Sequence, residues 1–303
     1  MTSRPLITLL TDFGAGSGYP AQVKGVLLAA LPEVQLVDVS HEVPSFDVLS
    51  AALLLEACAP RFPQHAVHLA VVDPGVGTTR RGLALADAAG RRFVGPDNGL
   101  FTPFLEGACI RELVPGTGPV PRPASATFHG RDLFAPVAAF LAGGGDLAAV
   151  GPEVDDPVRL PWPRAERRGD EVHGECLVAD GFGNVITSIT EADLAPHPDP
   201  LPAPRGEGAA AGSLPRSATA KVGERVIVPS PPPGERARVR GPLPRVEVAG
   251  LEARFVVTYG EGRPGELLAL IGSSGRLELA VREGSAAAGL GALPGKPVRV
   301  RHR

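Results

Sequence analysis

The sequence predicts two successive architectures: an α/β domain with a mainly parallel central sheet, then an all-β, barrel-like domain. Three observations predict this. In the first half of the chain, short β-rich apolar runs alternate with segments of helical period, the pattern of a parallel sheet covered by helices. A proline-rich stretch at 152–163 then interrupts the alternation, as linkers do. Beyond it the strand-like runs follow one another closely without helices between them, which suits an antiparallel sheet or small barrel. With 303 residues, 44% of them hydrophobic, the chain can build two cores. The domains are expected at 1–160 and 168–303.

In order, residues 6–11, 34–39 and 67–72 read as strands from their Val, Leu and Ile content, with 92–95 as a fourth. Helices are expected between them, over 19–31 with Pro32 as terminator and over 48–59 with Asp47 as N-cap and Pro60 as its end. A third helix is expected over 131–141, closed by Gly143-Gly144-Gly145. The second domain should hold strands at 171–179, 185–190, 225–228, 253–259, 267–271, 276–281 and 298–301. Stretches near 195–215 and 229–244, rich in Pro, Gly, Ala and Arg, read as surface loops because their composition buries little apolar area.

Charge and cysteine usage exclude several classes. Lys plus Arg number 30 against 33 Asp plus Glu, a net charge of -3, with no long run of either sign. Electrostatic capture by nucleic acid or an anionic membrane is therefore not expected, and a small molecule is the expected partner. Cys58, Cys109 and Cys176 are far apart and none belongs to a C-x-x-C pair, so neither a disulfide framework nor a zinc knuckle is predicted and a cytoplasmic location fits. The apolar run at 6–10 is too short for a signal-peptide core, and no run approaches the roughly 20 apolar residues of a membrane span.

The informative feature is where the acids fall. Asp12, Asp38, Asp73 and Asp97 each follow an apolar run, and in an open parallel sheet ligands bind beyond the carboxyl ends of the strands, so the four are expected to gather along one edge. Singly, each is equally a turn residue or N-cap. Asp73 opens Asp73-Pro74-Gly75-Val76-Gly77-Thr78-Thr79-Arg80, a turn whose glycines let backbone pass close to a ligand and which can return Arg80 towards Asp73; the plain alternative is a Pro-Gly turn with solvated arginines. His129, in Phe128-His129-Gly130-Arg131-Asp132, stands where a loop meets a helix and can relay a proton near neutral pH, or can simply cap. Asp180-Gly181-Phe182-Gly183-Asn184 and Ser273-Ser274-Gly275 read as hairpin turns that also offer a carboxylate, an aromatic edge, an amide and hydroxyls. Two signatures mislead: Asp12-Phe13-Gly14 lacks the companion motifs of a kinase, and Gly14-Ala15-Gly16-Ser17-Gly18-Tyr19 has Tyr where a dinucleotide fingerprint needs its third Gly.

Leu10-Thr11-Asp12-Phe13-Gly14, Lys24-Gly25-Val26, Asp38-Val39-Ser40-His41, the Val72 to Thr78 segment, Gly95-Pro96-Asp97-Asn98-Gly99-Leu100, Phe128 to Asp132 and Gly183-Asn184 follow one another in an order that resembles the adenosine-forming S-adenosyl-L-methionine hydrolases. That family is similar to the bacterial fluorinases and chlorinases. The resemblance implies displacement at the ribose C5' of S-adenosyl-L-methionine by water, giving adenosine and L-methionine, with no metal or organic cofactor. It also implies a homotrimer with active sites between the N-terminal domain of one subunit and the C-terminal domain of its neighbour. The family's catalytic Asp, Arg and His map onto Asp73, Arg80 and His129. Asp12 maps to the ribose hydroxyls, Asn184 to the adenine, and Asp180 with Ser273 to the methionine end; Phe46 and Phe128 wall the pocket, and Phe182 joins the substrate contacts. The family's halogenases carry other residues at the Asp and His positions and Ser at that of Gly130, which sets this chain on the hydrolase side.

Residue chemistry agrees with that implication. A sulfonium leaves as a neutral thioether and needs no acid, so what remains is to align a water behind C5' and remove its proton. Two other readings stay open at this level. Asp12, Asp38, Asp97 and a His could hold a divalent metal in a phosphoesterase, and the same pocket could serve an adenosine or S-adenosyl-L-methionine sensor without turnover.

Overall fold

The computed structural model describes residues 4–195, 244–291 and 294–301. The chain divides into two compact units, Met1–Arg164 and Ala165–Arg303.

The first unit is built on a six-stranded sheet of β1 (Leu6–Thr11), β2 (Gln35–Ser40), β3 (Val67–Val71), β4 (Gly82–Ala86), β5 (Arg92–Pro96) and β6 (Cys109–Leu113), in the order β2-β1-β3-β5-β4-β6. The first four strands of that order run parallel. β4 lies antiparallel between β5 and β6, so the sheet is parallel on one side and antiparallel on the other. Neither β4 nor β6 was expected: Gly82-Leu83-Ala84-Leu85-Ala86 has no β-branched residue, and only burial between two partners makes it a strand.

Helices α1 (Tyr19–Ala30), α2 (Val48–Cys58) and α3 (Ala135–Ala142) cover the sheet. Ile7 and Leu9 of β1 pack with Val23 and Leu27 of α1 and with α3. The alternate residue Leu10 packs with Ala51, Ala52 and Leu55 of α2. The period of two along β1 thus feeds two cores, one on each face. α2 begins as expected, with Asp47 Oδ1 accepting from Ser50 N at 2.9 Å and Oδ2 accepting from the Ser50 hydroxyl at 2.6 Å. The helix expected over 131–141 is instead a π-helical turn, Gly130–Phe134, running into α3.

In the second unit, β7 (Glu166–Arg168), β8 (Glu171–Ala179), β9 (Val185–Thr190), β10 (Arg245–Val248), β11 (Leu251–Phe255), β12 (Leu267–Ile271), β13 (Arg276–Val281) and β14 (Pro297–Arg301) form one sheet. Pairing of β14 with both β10 and β8 closes seven of them into a barrel, with β7 added on β8. Alternation fills the interior: Val246, Val248, Val298 and Val300 are buried while Arg245, Glu247, Arg299 and Arg301 are exposed. The barrel-like expectation holds, with one parallel pair, β11 with β12. The strand expected over 253–259 stops at Phe255, because Thr258 and Glu261 form a capping box around a 3₁₀ turn, Tyr259–Glu261. A short helix, α4 (Ala286–Leu290), precedes β14. The strand expected at 225–228 lies outside the described residues.

Candidate active site

Leaving β1, the chain passes through α1 to β2 on one side and then through α2 to β3 on the other. The carboxyl ends of β1 and β3 are therefore a topological switch point, where no crossover covers the sheet end. A cavity of about 250 Å³ opens there, within the first unit. Asp12, just beyond β1, and Asp73, just beyond β3, both line it.

Asp73 is held by Arg80. The Arg80 Nε donates to Asp73 Oδ1 at 3.0 Å, and Nη2 donates to Oδ2. Both side chains are almost completely buried, so this is a desolvated, two-pronged ion pair. Arg80 Nη1 donates to the Arg81 carbonyl at 2.8 Å, and the guanidinium lies 5.3 Å from the Phe134 ring centre. Nη2 also lies 3.2 Å from His129 Nδ1. Since arginine can only donate, Nδ1 accepts, and the neutral imidazole carries its proton on Nε2. Arg80 itself does not line the cavity; Asp73 and His129 do, and Arg80 braces both from behind.

His129 stands immediately before the π turn, an irregularity often found at functional sites. Burial lowers its pKa below the usual 6.5, helped by the Arg80 charge and opposed by Asp73 and Asp132. The ring is therefore neutral near pH 7. Asp132 fixes the turn: it accepts from Ser125 N at 2.8 Å and from Arg131 at 2.6 and 2.9 Å.

Backbone geometry gives Gly77 of the 73–80 turn a role within the fold. Gly77 has φ +79, and a Cβ there would meet the Ala126 carbonyl oxygen at 2.8 Å. The close approach is to the neighbouring loop. That contact seats the turn against 126–130, which carries His129. The Asp97-Asn98 segment does similar work: Asn98 Nδ2 donates to the Val72 carbonyl at 2.8 Å, just ahead of Asp73.

Of the four strand-end acids, Asp12 and Asp73 line the cavity and Asp38 and Asp97 do not. Asp97 is buried against Arg81 at 2.9 Å and accepts from Val158 N at 2.8 Å. Asp38 lies within β2, paired with Lys24 at 2.6 Å. Among the described residues, no group of three or more His, Cys, Asp or Glu is arranged to hold a metal ion, so the set proposed for a phosphoesterase is not assembled.

Only 5% of the chain is aromatic, yet Phe13, Tyr19, Phe46 and Phe128 all line this cavity. Phe13, Tyr19 and Phe128 meet edge to face, at centroid distances of 5.1–6.0 Å. Phe46 is 66% exposed with φ 67, a left-handed conformation unusual for a non-glycine residue. Its N–H donates to Asp12 Oδ2 at 2.9 Å. Phe13 and Tyr19 bracket the Gly-rich loop after β1, and no spacing in the sequence marks them as pocket residues.

The other expected contacts belong to the second unit. Asp180 and Asn184 close the β8–β9 turn: Asp180 Oδ1 accepts from Phe182 N and Asn184 N, each at 2.9 Å, and Oδ2 accepts from Asn184 Nδ2 at 3.0 Å. Phe182 is 85% exposed at the tip. Ser273 lies in the β12–β13 turn. Because β9 and β13 are antiparallel neighbours, these two turns stand at opposite ends of that ladder.

Residues 7–151 match the family model described as the SAM hydroxide adenosyltransferase N-terminal domain, and 234–299 match its C-terminal domain. The chain is 39% identical to an (R)-S-adenosyl-L-methionine hydrolase of Salinispora tropica, over 99% of both chains. It is 38% identical to a protein of that name from Thermus thermophilus, covering 97% of this chain and 98% of the relative. A fluorinase of Nocardia brasiliensis is 30% identical over 63% of this chain and 73% of its own. Among solved structures, an uncharacterized conserved protein from Thermotoga maritima superposes with a TM-score of 0.77 at 30% identity, covering 98% of this chain and all of that one.

Proposed function

The chain belongs to the SAM hydroxide adenosyltransferase family, and from that premise we propose that Asp73 and His129, braced by Arg80, activate the water that its reaction consumes. The reaction is hydrolysis of S-adenosyl-L-methionine to adenosine and L-methionine. The observation that carries the residue assignment is the continuous Asp73, Arg80 and His129 contact on one wall of the β1–β3 cavity.

Attack of water on C5' breaks the C5'–S bond. The sulfur departs with the bonding pair as a neutral thioether, and the one proton to dispose of leaves the water for the Asp73 carboxylate, since both nitrogens of His129 are already committed. Both Asp73 oxygens are held by Arg80, and each keeps a second lone pair with which to accept from a water in the cavity. Neutral His129, with Nδ1 occupied by Arg80, presents Nε2 to orient that water. Arg80 touches both groups without lining the cavity, which makes it a positioning residue: it holds the Asp73 carboxylate in place, and its charge opposes protonation of His129 while hydroxide character develops. Carboxylates on the wall also favour a cationic sulfonium over its neutral products.

Asp12 is assigned to the ribose hydroxyls, and Phe46 and Phe128 to the pocket walls. Asp180, Phe182, Asn184 and Ser273 are assigned to the adenine and methionine ends, supplied by a neighbouring subunit of a homotrimer. A cytoplasmic setting is supported by the free thiols of Cys58, Cys109 and Cys176. Among the described residues no helix is long and apolar enough to cross a membrane.

The test is turnover of S-adenosyl-L-methionine in oxygen-18 water after chelator treatment, with products weighed by mass spectrometry. Oxygen-18 in the adenosine 5'-hydroxyl at an undiminished rate is expected, and rate loss to the chelator counts against the scheme. Asp73→Ala, Arg80→Ala and His129→Ala should each lower kcat by about tenfold or more, with the mass by light scattering unchanged at that of a trimer. A wild-type rate in any one removes that residue from the mechanism.

A further inference from the structure

The Lys24-Gly25 and Asp38-Val39-Ser40-His41 motifs have no place in the water-activating cluster, yet the structure joins them to the cavity by another route. His41 is buried beneath the β1–α1 turn, and its Nδ1 lies 2.8 Å from the hydroxyl of Thr11, the residue before Asp12. Its Nε2 lies 3.1 Å from Asp38 Oδ1, close but poorly aligned as a hydrogen bond. Asp38 in turn is tied to Lys24 of α1 at 2.6 Å. With the imidazole proton on Nε2, facing the carboxylate, Nδ1 accepts from the Thr11 hydroxyl. The Thr11 oxygen is then free to accept from Phe13 N, 3.3 Å away. Nδ1 thus holds the Thr11 hydroxyl while Nε2 faces Asp38, and the linked groups straddle Asp12 from residue 11 to residue 13.

The main chain repeats the same tie. His41 O accepts from Gly14 N at 2.7 Å, and Thr11 O accepts from Val43 N at 3.4 Å. Phe46 N–H then takes Asp12 Oδ2, leaving Oδ1 for a ligand.

We propose that His41, acting through Thr11 and anchored by Asp38 and Lys24, is a positioning residue that aims the Asp12 carboxylate and so sets the preference of the site for a vicinal diol. The proposal rests on the reading that Asp12 meets the ribose hydroxyls. A carboxylate held in one orientation accepts from both hydroxyls of a diol, whereas a wandering one pays side-chain entropy on each binding event. The network therefore acts on discrimination between sugars more than on fold.

The experiment measures the affinity ratio of adenosine to 2',3'-dideoxyadenosine by calorimetry on the full chain, for wild type, Thr11→Val, Thr11→Ser and Asp12→Ala. A general loosening weakens both ligands alike and leaves the ratio unmoved. Thr11→Val, which keeps the shape and removes the hydroxyl, is expected to lower the ratio by about threefold to tenfold, the span of one lost hydrogen bond, and Thr11→Ser to restore it. A wild-type ratio in Thr11→Val, with the ratio abolished in Asp12→Ala, overturns the positioning role alone. A wild-type ratio in Asp12→Ala overturns the assignment of Asp12 and the proposal with it. Should Thr11→Val not fold, Lys24→Met, which alters only a half-exposed charge, reads the same quantity: a lowered ratio supports the strut, and an unchanged one overturns it.

Discussion

His129 shows how one residue's chemistry is set by its neighbours. A histidine in water is half protonated near pH 6.5; here burial first, and the Arg80 charge second, oppose protonation, and Asp73 and Asp132 only partly offset them. Protonation would also give Nδ1 a hydrogen facing an arginine that can only donate. Activity should therefore persist below pH 6.5 and be lost only as His129 finally takes up a proton. In a heteronuclear NMR titration, the His129 ring should titrate below 6.5 in the wild type and at higher pH in Arg80→Met, where the opposing charge is gone. A wild-type value above 6.5 would show that Asp73 dominates the ring instead. The identity of this histidine was legible from its Phe-His-Gly-Arg-Asp context, but the tautomer and the direction of its titration depend on which atom of Arg80 lies 3.2 Å away.

At the scale of elements, the 73–80 turn is clamped at both ends. Asp73 follows β3, Arg80 folds back on it, and Gly77 presses against the Ala126 carbonyl. Gly77→Ala should cost about 1–3 kcal/mol, from a left-handed φ forced on a residue with a Cβ and from the contact with that carbonyl. Thermal unfolding and kcat should fall together; a variant with wild-type kcat would separate the turn from the seating of His129. The expected parallel strands were legible because Val, Ile and Leu cluster in them. β4 was not, since an alternation of Leu with Ala carries its strand propensity only in the company of β5 and β6. The π turn before α3 was likewise invisible, because its apolar spacing reads as ordinary helix.

At the scale of the whole molecule, stability against acid should hinge on His68. It is buried in the core of the sheet, stacked on Phe93 at 4.9 Å and bonded to the Thr8 hydroxyl at 2.8 Å. Its Nε2 has no partner among the described residues. Burial, with Arg91 adding to it, lowers its pKa to about 4. Unfolded chain takes up this proton as pH falls through 6.5, while folded chain refuses it until about 4, so stability is lost across that window. Linkage puts the loss at roughly 3 kcal/mol. Urea unfolding at several pH values should show it, and His68→Gln, which keeps a polar partner for Thr8 but cannot titrate, should flatten this part of the profile. An unchanged slope would place the acid sensitivity elsewhere.

By itself, the sequence determined the two-part architecture, because periodicity is a local property, and it singled out Asp73, Arg80 and His129 as candidates through their motifs and the family that these resemble. Which acids share a cavity was decided only by tertiary structure. Asp12 and Asp73 meet there because β1 and β3 became neighbours across a switch of chain direction, while Asp38 and Asp97, with the same local appearance, were drawn to Lys24 and Arg81. A strand-end carboxylate takes its function from the partner that reaches it, and that partner is chosen by packing between segments far apart in the chain.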